Sequence, residues 1–393
     1  MKKKALLIPL VLLLAFSLAA CAAPAPAPST TYSSPDRGED AVYTSPDREG
    51  DVVYTGPDSE APAIYTTAPV EVTEWTILGT SSGGAHYDFW FYELMPEIKD
   101  ATGGQLEFKY LIPGEHPFSI VDLLTALRDG KGDVAEVAGG FASGHDPRLA
   151  VLDLPLLIPQ GDLALTREIF GVFADSYLKD VWAEWGVELL IPTFWGPQHL
   201  YTKDVWVDDF DDLSGVKVRT WSPETADLIA TMGGIPMQIA WGEVYTSLQT
   251  GLIDAVFTSV GVHRAGMTEF IKNWNMIFAF FPTAPFLANS EAMAALPSDV
   301  RAGLLNVVTA KRDRYEVAPY FQDGATIEDA LVQANVEVRM LPPSFREQVR
   351  AIAYEGIWGP WMERGGASTE DAFDMLAKLL IEKGHTVPGH TPK

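Results

Sequence analysis

The chain has 393 residues, and 53 acidic against 28 basic side chains give it a formal net charge of -25 at pH 7. An acidic surface of this size argues against nucleic acid as a partner, because phosphate binding relies on clustered lysine and arginine. The chain contains 1 cysteine, which excludes an intrachain disulfide and a metal site built from cysteines.

The first 20 residues have the anatomy of a signal peptide. Lys2 to Lys4 form a positive start, and the apolar run that follows is too short for a stable membrane span. The residues Leu18 to Cys21 resemble the lipobox of bacterial lipoproteins, so we predict that Cys21 becomes a lipidated N-terminus. An uncleaved anchor or a plain secretory signal is the alternative.

An eleven-residue repeat follows the cysteine. Its copies begin at Tyr32, Tyr43 and Tyr54, and a fourth begins at Tyr65 and stops. Each copy offers few apolar groups, and their burial is too small to offset the entropy lost on ordering. We predict a disordered tether over residues 21–72, with a root-mean-square reach of roughly 40 Å. The alternative is that the repeat binds the cell wall or a partner protein.

The remaining chain alternates predicted strands and helices. The predicted strands are Glu74–Leu78, Gln105–Ile112, Val134–Ala138, Val187–Thr193, Val216–Arg219 and Leu252–Phe257. The predicted helices are Ala85–Thr102, Glu243–Thr250, one opening at Ser119, one after Ser222, and others over 298–335 and 368–384. This alternation indicates an α/β fold with substantially parallel sheets, and the length favours two domains.

Motifs of catalysis are missing from the sequence. It has no nucleophile elbow, phosphate loop, zincin helix or dinucleotide fingerprint. No two of its 7 histidines have the spacing that places two metal ligands on one helix face. We therefore predict no enzyme activity, no metal and no cofactor. Because catalytic residues can meet only in space, an extracytoplasmic hydrolase on a similar fold is the alternative.

One segment carries a specific signature. Leu213 to Asp254 reads LSGVKVRTWSPETADLIATMGGIPMQIAWGEVYTSLQTGLID. It resembles the central signature of the solute receptors of tripartite ATP-independent periplasmic (TRAP) transporters, in which a Leu-x-Gly-x-Lys-x-Arg strand precedes a helix and a Glu-Val-Tyr helix follows. Ala101 to Gly104 and Leu154 to Leu156 also resemble parts of that family. The resemblance covers most of residues 74–385.

The resemblance implies a two-domain fold like that of type II periplasmic binding proteins, with discontinuous domains and a cleft between them. We expect lobe I over 73–196 plus 285–325, lobe II over 197–284 plus 326–385, and a disordered tail over 386–393. The implied function is an extracytoplasmic receptor that passes a carboxylate solute to integral membrane TRAP subunits. A sensory or adhesive surface lipoprotein is a further alternative.

Arg219 stands at the end of a predicted strand, where open α/β sheets bind ligands. A guanidinium offers a carboxylate two parallel donors. By resemblance, Arg219 matches the family arginine that binds a substrate carboxylate. A surface arginine, or one paired with Glu224, is the alternative.

The sequence departs from the family pattern at two places near this arginine. Gln198 stands where many members have a second arginine, and Phe257, Thr258 and Ser259 stand where many have Glu-Asn-Pro. A small dicarboxylate is best bound by two cationic side chains, so these departures argue against such a ligand. We keep Gln198, Thr258 and Ser259 as candidate ligand contacts.

The other candidate ligand contacts are mostly aromatic, as pocket linings usually are. They are Trp195, Trp221, Phe257, Phe141 after Gly139-Gly140, and His86 on the first strand-to-helix loop. We expect Trp241 to be structural. We expect Glu243 to be a hinge residue, or to position ligand-binding residues without contacting the ligand itself. The predicted ligand has one carboxylate on Arg219 and an apolar or aromatic body on the rings.

Overall fold

The computed structural model describes residues 52–54, 63–65, 71–81, 84–159, 162–314 and 336–390. The predicted leader, Cys21 and most of the predicted tether lie outside these residues. The chain divides into two units, residues 1–69 and 70–393. In the described part, no helix combines the length and apolar character that a membrane crossing requires.

The N-terminal unit contains a pair of short antiparallel strands, β1 (Val52–Tyr54) and β2 (Ala63–Tyr65). Val53 stands opposite Ile64 in the register. Both strands fall within the range 21–72, for which the disordered tether stays a prediction, and they form where two repeat copies carry the β-branched and aromatic residues that favour extended pairing.

In the second unit, one sheet has five strands in the order β4-β3-β5-β12-β6. These strands are β3 (Thr73–Leu78), β4 (Leu106–Leu111), β5 (Val134–Glu136), β6 (Val187–Ile191) and β12 (Phe286–Asn289). Strand β3 is parallel to β4 and β5, whereas β12 is antiparallel to β5 and β6.

A second sheet has six strands in the order β13-β11-β7-β10-β8-β9. They are β7 (His199–Thr202), β8 (Lys217–Thr220), β9 (Ile235–Gln238), β10 (Ala255–Thr258), β11 (Asn273–Met276) and β13 (Glu337–Met340). Only β7 is antiparallel to its neighbours, β10 and β11. The sequence pattern missed β7, β9, β11 and β12. At β7 and β12, the antiparallel strands of this group, the chain has just crossed between sheets.

Helices surround both sheets. They are α1 (Ala85–Phe89), α2 (Met95–Ala101), α3 (Leu123–Arg128), α4 (Gly139–Ala142), α5 (Leu163–Phe173), α6 (Lys179–Glu184), α7 (Pro223–Thr231), α8 (Trp241–Thr250), α9 (Gly261–Arg264), α10 (Ser290–Ala295), α11 (described over 298–314), α12 (Pro343–Ala351), α13 (Gly359–Gly365) and α14 (Ala367–Glu382). The predicted two-lobed α/β fold is thus confirmed. The strands of each sheet fall within the ranges expected for lobes I and II, whose exact boundaries remain predictions.

Helix α7 shows how local sequence starts an element. The Ser222 side chain accepts from the Thr225 backbone N–H, and the Thr225 side chain accepts from the Ser222 N–H. The reciprocal bonds satisfy backbone donors that a helix start leaves without partners. This cap ends strand β8 cleanly just after Arg219.

The tail over 386–393, predicted to be disordered, is packed where the structure describes it. Val387 is 7% exposed and belongs to the main hydrophobic core. Arg350 on α12 donates to both the carbonyl and the hydroxyl of Thr386. The prediction is wrong for residues 386–390, because the burial of Val387 and the hydrogen bonds from Arg350 hold them against the core.

Candidate ligand-binding cleft

A cavity of about 620 Å³ lies where both sheets present strand ends. Strands β3 and β5 of the first sheet, and β8 and β10 of the second, direct their carboxyl ends toward it, as expected for ligand sites in open α/β sheets. The lining residues are Thr80, Ser81, Gly84, Ala85, His86, Ile120, Glu136, Phe141, Trp195, Gly196, Gln198, Arg219, Trp221, Trp241, Thr258, Ser259, Val260, Gly261 and Ala265.

Arg219 is a buried cation at the edge of this cavity. It is 2% exposed, and its Nε donates to the Ile239 carbonyl at 3.0 Å. A longer contact of 3.5 Å joins Nη1 to the Phe257 carbonyl. Burial lowers the pKa of Arg219 to about 9, and no carboxylate in the described residues opposes that effect. A buried charge that lacks an oppositely charged partner costs several kcal/mol of stability, so this guanidinium favours an anion in the cavity.

The alternative partner suggested by the sequence, Glu224, points elsewhere. Its carboxylate accepts from Arg364 at 3.1 Å and from the Ser143 hydroxyl at 3.2 Å. Trp241, which we expected to be structural, lines the cavity with its ring centroid 5.5 Å from the Arg219 guanidinium carbon. Arg219 is therefore flanked by an aromatic face rather than by an acid.

Three aromatic rings form a wall of the cavity. The ring of Phe141 lies 4.8 Å from that of Trp221 and 5.9 Å from that of Trp195, and the two tryptophans are 6.3 Å apart. Gln198 holds this wall because its Oε1 accepts from Trp221 Nε1 at 3.0 Å. The amide nitrogen of Gln198 donates to the Gly196 carbonyl at 3.0 Å.

Glu136 is a buried acid that the sequence interpretation missed. Its Oε1 contacts His86 Nδ1 at 2.7 Å and accepts from Trp195 Nε1 at 2.8 Å, and the Thr80 hydroxyl donates to its Oε2. Burial raises the pKa of Glu136, but the hydrogen bond of His86, with these other donors, outweighs burial and holds the pKa below its usual range. The sequence contains a signal for this acid, because Glu136 ends an otherwise apolar strand shortly before Gly139 and Gly140.

The structure brings most of the predicted ligand contacts together. His86, Phe141, Trp195, Gln198, Arg219, Trp221, Thr258 and Ser259 all line the cavity. Phe257 does not, because its side chain is buried in the main core and only its carbonyl approaches Arg219. Glu243 is exposed on α8 and is absent from the lining, and Cys21 lies outside the described residues.

No group of three or more histidine, cysteine, aspartate or glutamate side chains that could hold a metal ion occurs in the described ranges. The ionisable side chains of the described lining are His86, Glu136 and Arg219. The cavity thus combines one cation, one acid and one imidazole with an aromatic wall, an arrangement that suits binding of a small polar organic molecule.

The sequence matches a known family over most of its length. A model of the bacterial extracellular solute-binding protein family 7 (DctP) matches residues 91–357. The uncharacterized protein y4mM of Sinorhizobium fredii is 30% identical over 185 residues, which cover 46% of this chain and 33% of that protein. The chain therefore spans a third of that relative, and about half of several others that it matches.

Solved structures share the fold. DctP7, an extracytoplasmic solute receptor of Bordetella pertussis that binds pyroglutamic acid, matches with a TM-score of 0.69 and 23% identity, covering 78% of this chain and 99% of that one. A TRAP periplasmic solute-binding protein of Desulfovibrio salexigens with bound orotic acid matches with a TM-score of 0.72 and 18% identity, covering 79% and 99%.

Proposed function

The chain belongs to the bacterial extracellular solute-binding protein family 7, whose members are the extracytoplasmic solute receptors of TRAP transporters, and on that basis we propose that it binds a small monocarboxylic acid. It delivers this solute to the membrane subunits of such a transporter. It acts as a binder and not as an enzyme. Cys21 carries the lipid that anchors it outside the cytoplasm.

The observation that carries this proposal is the state of Arg219. The guanidinium is buried, lines the cavity and has no acidic partner among the described residues. A hydrogen bond to a charged group contributes about 1.5–3 kcal/mol net, whereas a micromolar ligand needs about 8 kcal/mol. Arg219 therefore selects and orients the carboxylate, and the aromatic wall supplies the remaining contact area.

The charge balance of the lining supports one carboxylate rather than two. Arg219 is the lining arginine, and Glu136 places a negative charge on the opposite sheet. A second carboxylate near Glu136 would meet like charge, which disfavours binding. Pyroglutamic and orotic acid, the ligands of two proteins with this fold, each carry a single carboxylate on a ring. A cavity of about 620 Å³ has room for a molecule of this kind.

Delivery requires that ligand binding change the receptor. The lining comes from both sheets and from the segment that crosses between them, so a ligand in the cavity touches both lobes. A ligand that contacts two lobes shifts the population toward their closed arrangement. The closed receptor then docks on the membrane subunits.

A thermal-shift screen of the purified protein against monocarboxylates, dicarboxylates and neutral sugars tests the proposal. A ligand at a hundredfold excess over its dissociation constant adds about 2.7 kcal/mol to the free energy of unfolding. Arg219→Gln should abolish that gain for the best monocarboxylate. Arg301→Gln is the matched control, since Arg301 pairs with Glu188 at the surface, away from the cavity. Equal stabilisation of the parent and the Arg219 variant, or a preference for neutral sugars, contradicts the proposal.

A further inference from the structure

His86 is held in the first lobe with one nitrogen committed and the other without a protein partner. Its side chain is 9% exposed, and it lies in α1 directly after the loop that follows strand β3. The Nδ1 atom contacts Glu136 Oε1 at 2.7 Å, whereas Nε2 is buried without a hydrogen-bond partner in the described residues. A buried polar atom of this kind is unfavourable unless something pairs with it.

The surroundings of His86 fix the direction of its ring. The Phe286 ring packs on it at 6.1 Å with an interplanar angle of 73°, and Phe286 stands opposite Glu136 in the sheet register. Glu136 is itself held by Trp195 and Thr80. Imidazole and carboxylate are therefore positioned before any ligand arrives, as a selective polar contact requires.

The same contacts fix the position of the proton. The Glu136 carboxylate accepts hydrogen bonds only, and its pKa lies below the usual range, so the facing Nδ1 carries a hydrogen. In the neutral ring, Nε2 then holds a lone pair and acts as an acceptor. Arg219 offers only N–H donors to the same cavity through its side chain, and the indole N–H groups of Trp195 and Trp221 already donate to Glu136 and Gln198. His86 Nε2 thus supplies an acceptor from the first lobe, whereas Arg219 belongs to the second.

We propose that His86 Nε2 accepts a hydrogen bond from an N–H or O–H group of the ligand whose carboxylate binds Arg219. This inference rests on the proposed function and narrows its ligand class. The solute is a monocarboxylic acid with a hydrogen-bond donor on its body, such as a lactam, a cyclic amide or a hydroxy acid. Arg219 in the second lobe binds the carboxylate, and His86 in the first lobe accepts a hydrogen bond from the donor group of the ligand.

Pairs of acids that differ only at the donor test this assignment. One pair is pyroglutamate and 5-oxotetrahydrofuran-2-carboxylate, in which a ring oxygen replaces the lactam N–H; another is mandelate and phenylacetate. Isothermal titration of the parent should show at least tenfold tighter binding of the donor-bearing member in the pair that binds. His86→Asn keeps a donor toward Glu136 and removes Nε2, so it should bind both members of that pair with equal affinity.

Controls separate this inference from the proposed function. Arg219→Gln should weaken both members of a pair alike, and His145→Asn, a histidine that does not line the cavity, should leave the tenfold preference intact. If both members bind the parent equally, the His86 assignment is wrong while the carboxylate receptor stands. If no monocarboxylate binds, the proposed function fails as well.

A second measurement covers the case in which His86→Asn does not fold. In the parent protein labelled with ¹⁵N-histidine, the Nε2 resonance should be that of an unprotonated nitrogen and should shift when the donor-bearing acid is added. A protonated Nε2 in the complex would show that His86 donates, and the proposal would be overturned.

Discussion

Trp221 Nε1 donates to Gln198 Oε1 at 3.0 Å, and this hydrogen bond changes the interpretation of both residues. The sequence indicates that Gln198 replaces a cationic ligand contact of the family. In the structure the amide is 2% exposed, and its nitrogen is bound to the Gly196 carbonyl. Gln198 therefore fixes the tilt of the indole wall, and its polar atoms are already engaged within the protein.

Gln198→Leu should lower the free energy of unfolding by about 1–3 kcal/mol, because it leaves the Trp221 indole N–H buried without an acceptor. Urea denaturation followed by tryptophan fluorescence measures the loss. Gln249→Leu, at an exposed position on α8, is the control and should change the stability little. An unchanged midpoint for the Gln198 variant would mean that the hydrogen bond does not support the wall.

Trp241→Ala should raise the dissociation constant of the carboxylate ligand about 2- to 30-fold. The indole face lies against the Arg219 guanidinium, and a cation–π contact contributes about 0.5–2 kcal/mol to holding the cation in place. Trp206→Ala is a matched control because Trp206 stacks in the same way on Arg339, at 4.4 Å, outside the cavity lining. Calorimetric titration should show weaker ligand binding for Trp241→Ala and unchanged binding for Trp206→Ala.

His199 should make the fold sensitive to acid. Burial, with a contribution from the charge of His263, lowers the pKa of His199 to about 3, and its Nδ1 accepts from the Phe278 N–H at 3.3 Å. Because the folded pKa lies below the unfolded value of about 6.5, the stabilisation is complete above that pH and is lost as the pH falls toward 3. The expected loss is about 1.4 kcal/mol per pH unit.

Free energies of unfolding measured between pH 7 and pH 4.5 test this expectation. His199→Phe should have a shallower pH dependence than the parent, whatever its absolute stability. His145→Phe should keep the slope of the parent, because that ring is partly solvated at the surface. Identical slopes for the parent and the His199 variant would contradict the assignment.

Removing residues 386–393 should cost about 2–4 kcal/mol of stability, since burial of a valine and the hydrogen bonds of an arginine are lost together. Val387 is in the main core, and Arg350 is buried between the carbonyls of Leu156 and Thr386. Removal of residues 391–393 alone is the control and should have little effect. Thermal unfolding of the two truncated proteins provides the comparison.

Strands with clear flanking signals could be predicted from the sequence. Strand β8 and helix α7 follow from an alternating pattern, a serine cap and a proline. Strands β7 and β12 are four residues long and buried throughout, so they show no alternation that distinguishes them from a loop or a buried helix. Their antiparallel direction depends on how the chain crosses between the sheets, which local pattern does not encode.

The family, the α/β class and the position of Arg219 follow from the amino-acid sequence, because a signature and a strand end are local features of the chain. The partners of the polar groups in the cavity depend on the folded structure. Glu136 meets His86 across 50 residues and Trp195 across 59, and Gln198 meets Trp221 across 23. Hydrogen bonds act over about 3 Å, so their pairing is set only when distant strands are brought side by side.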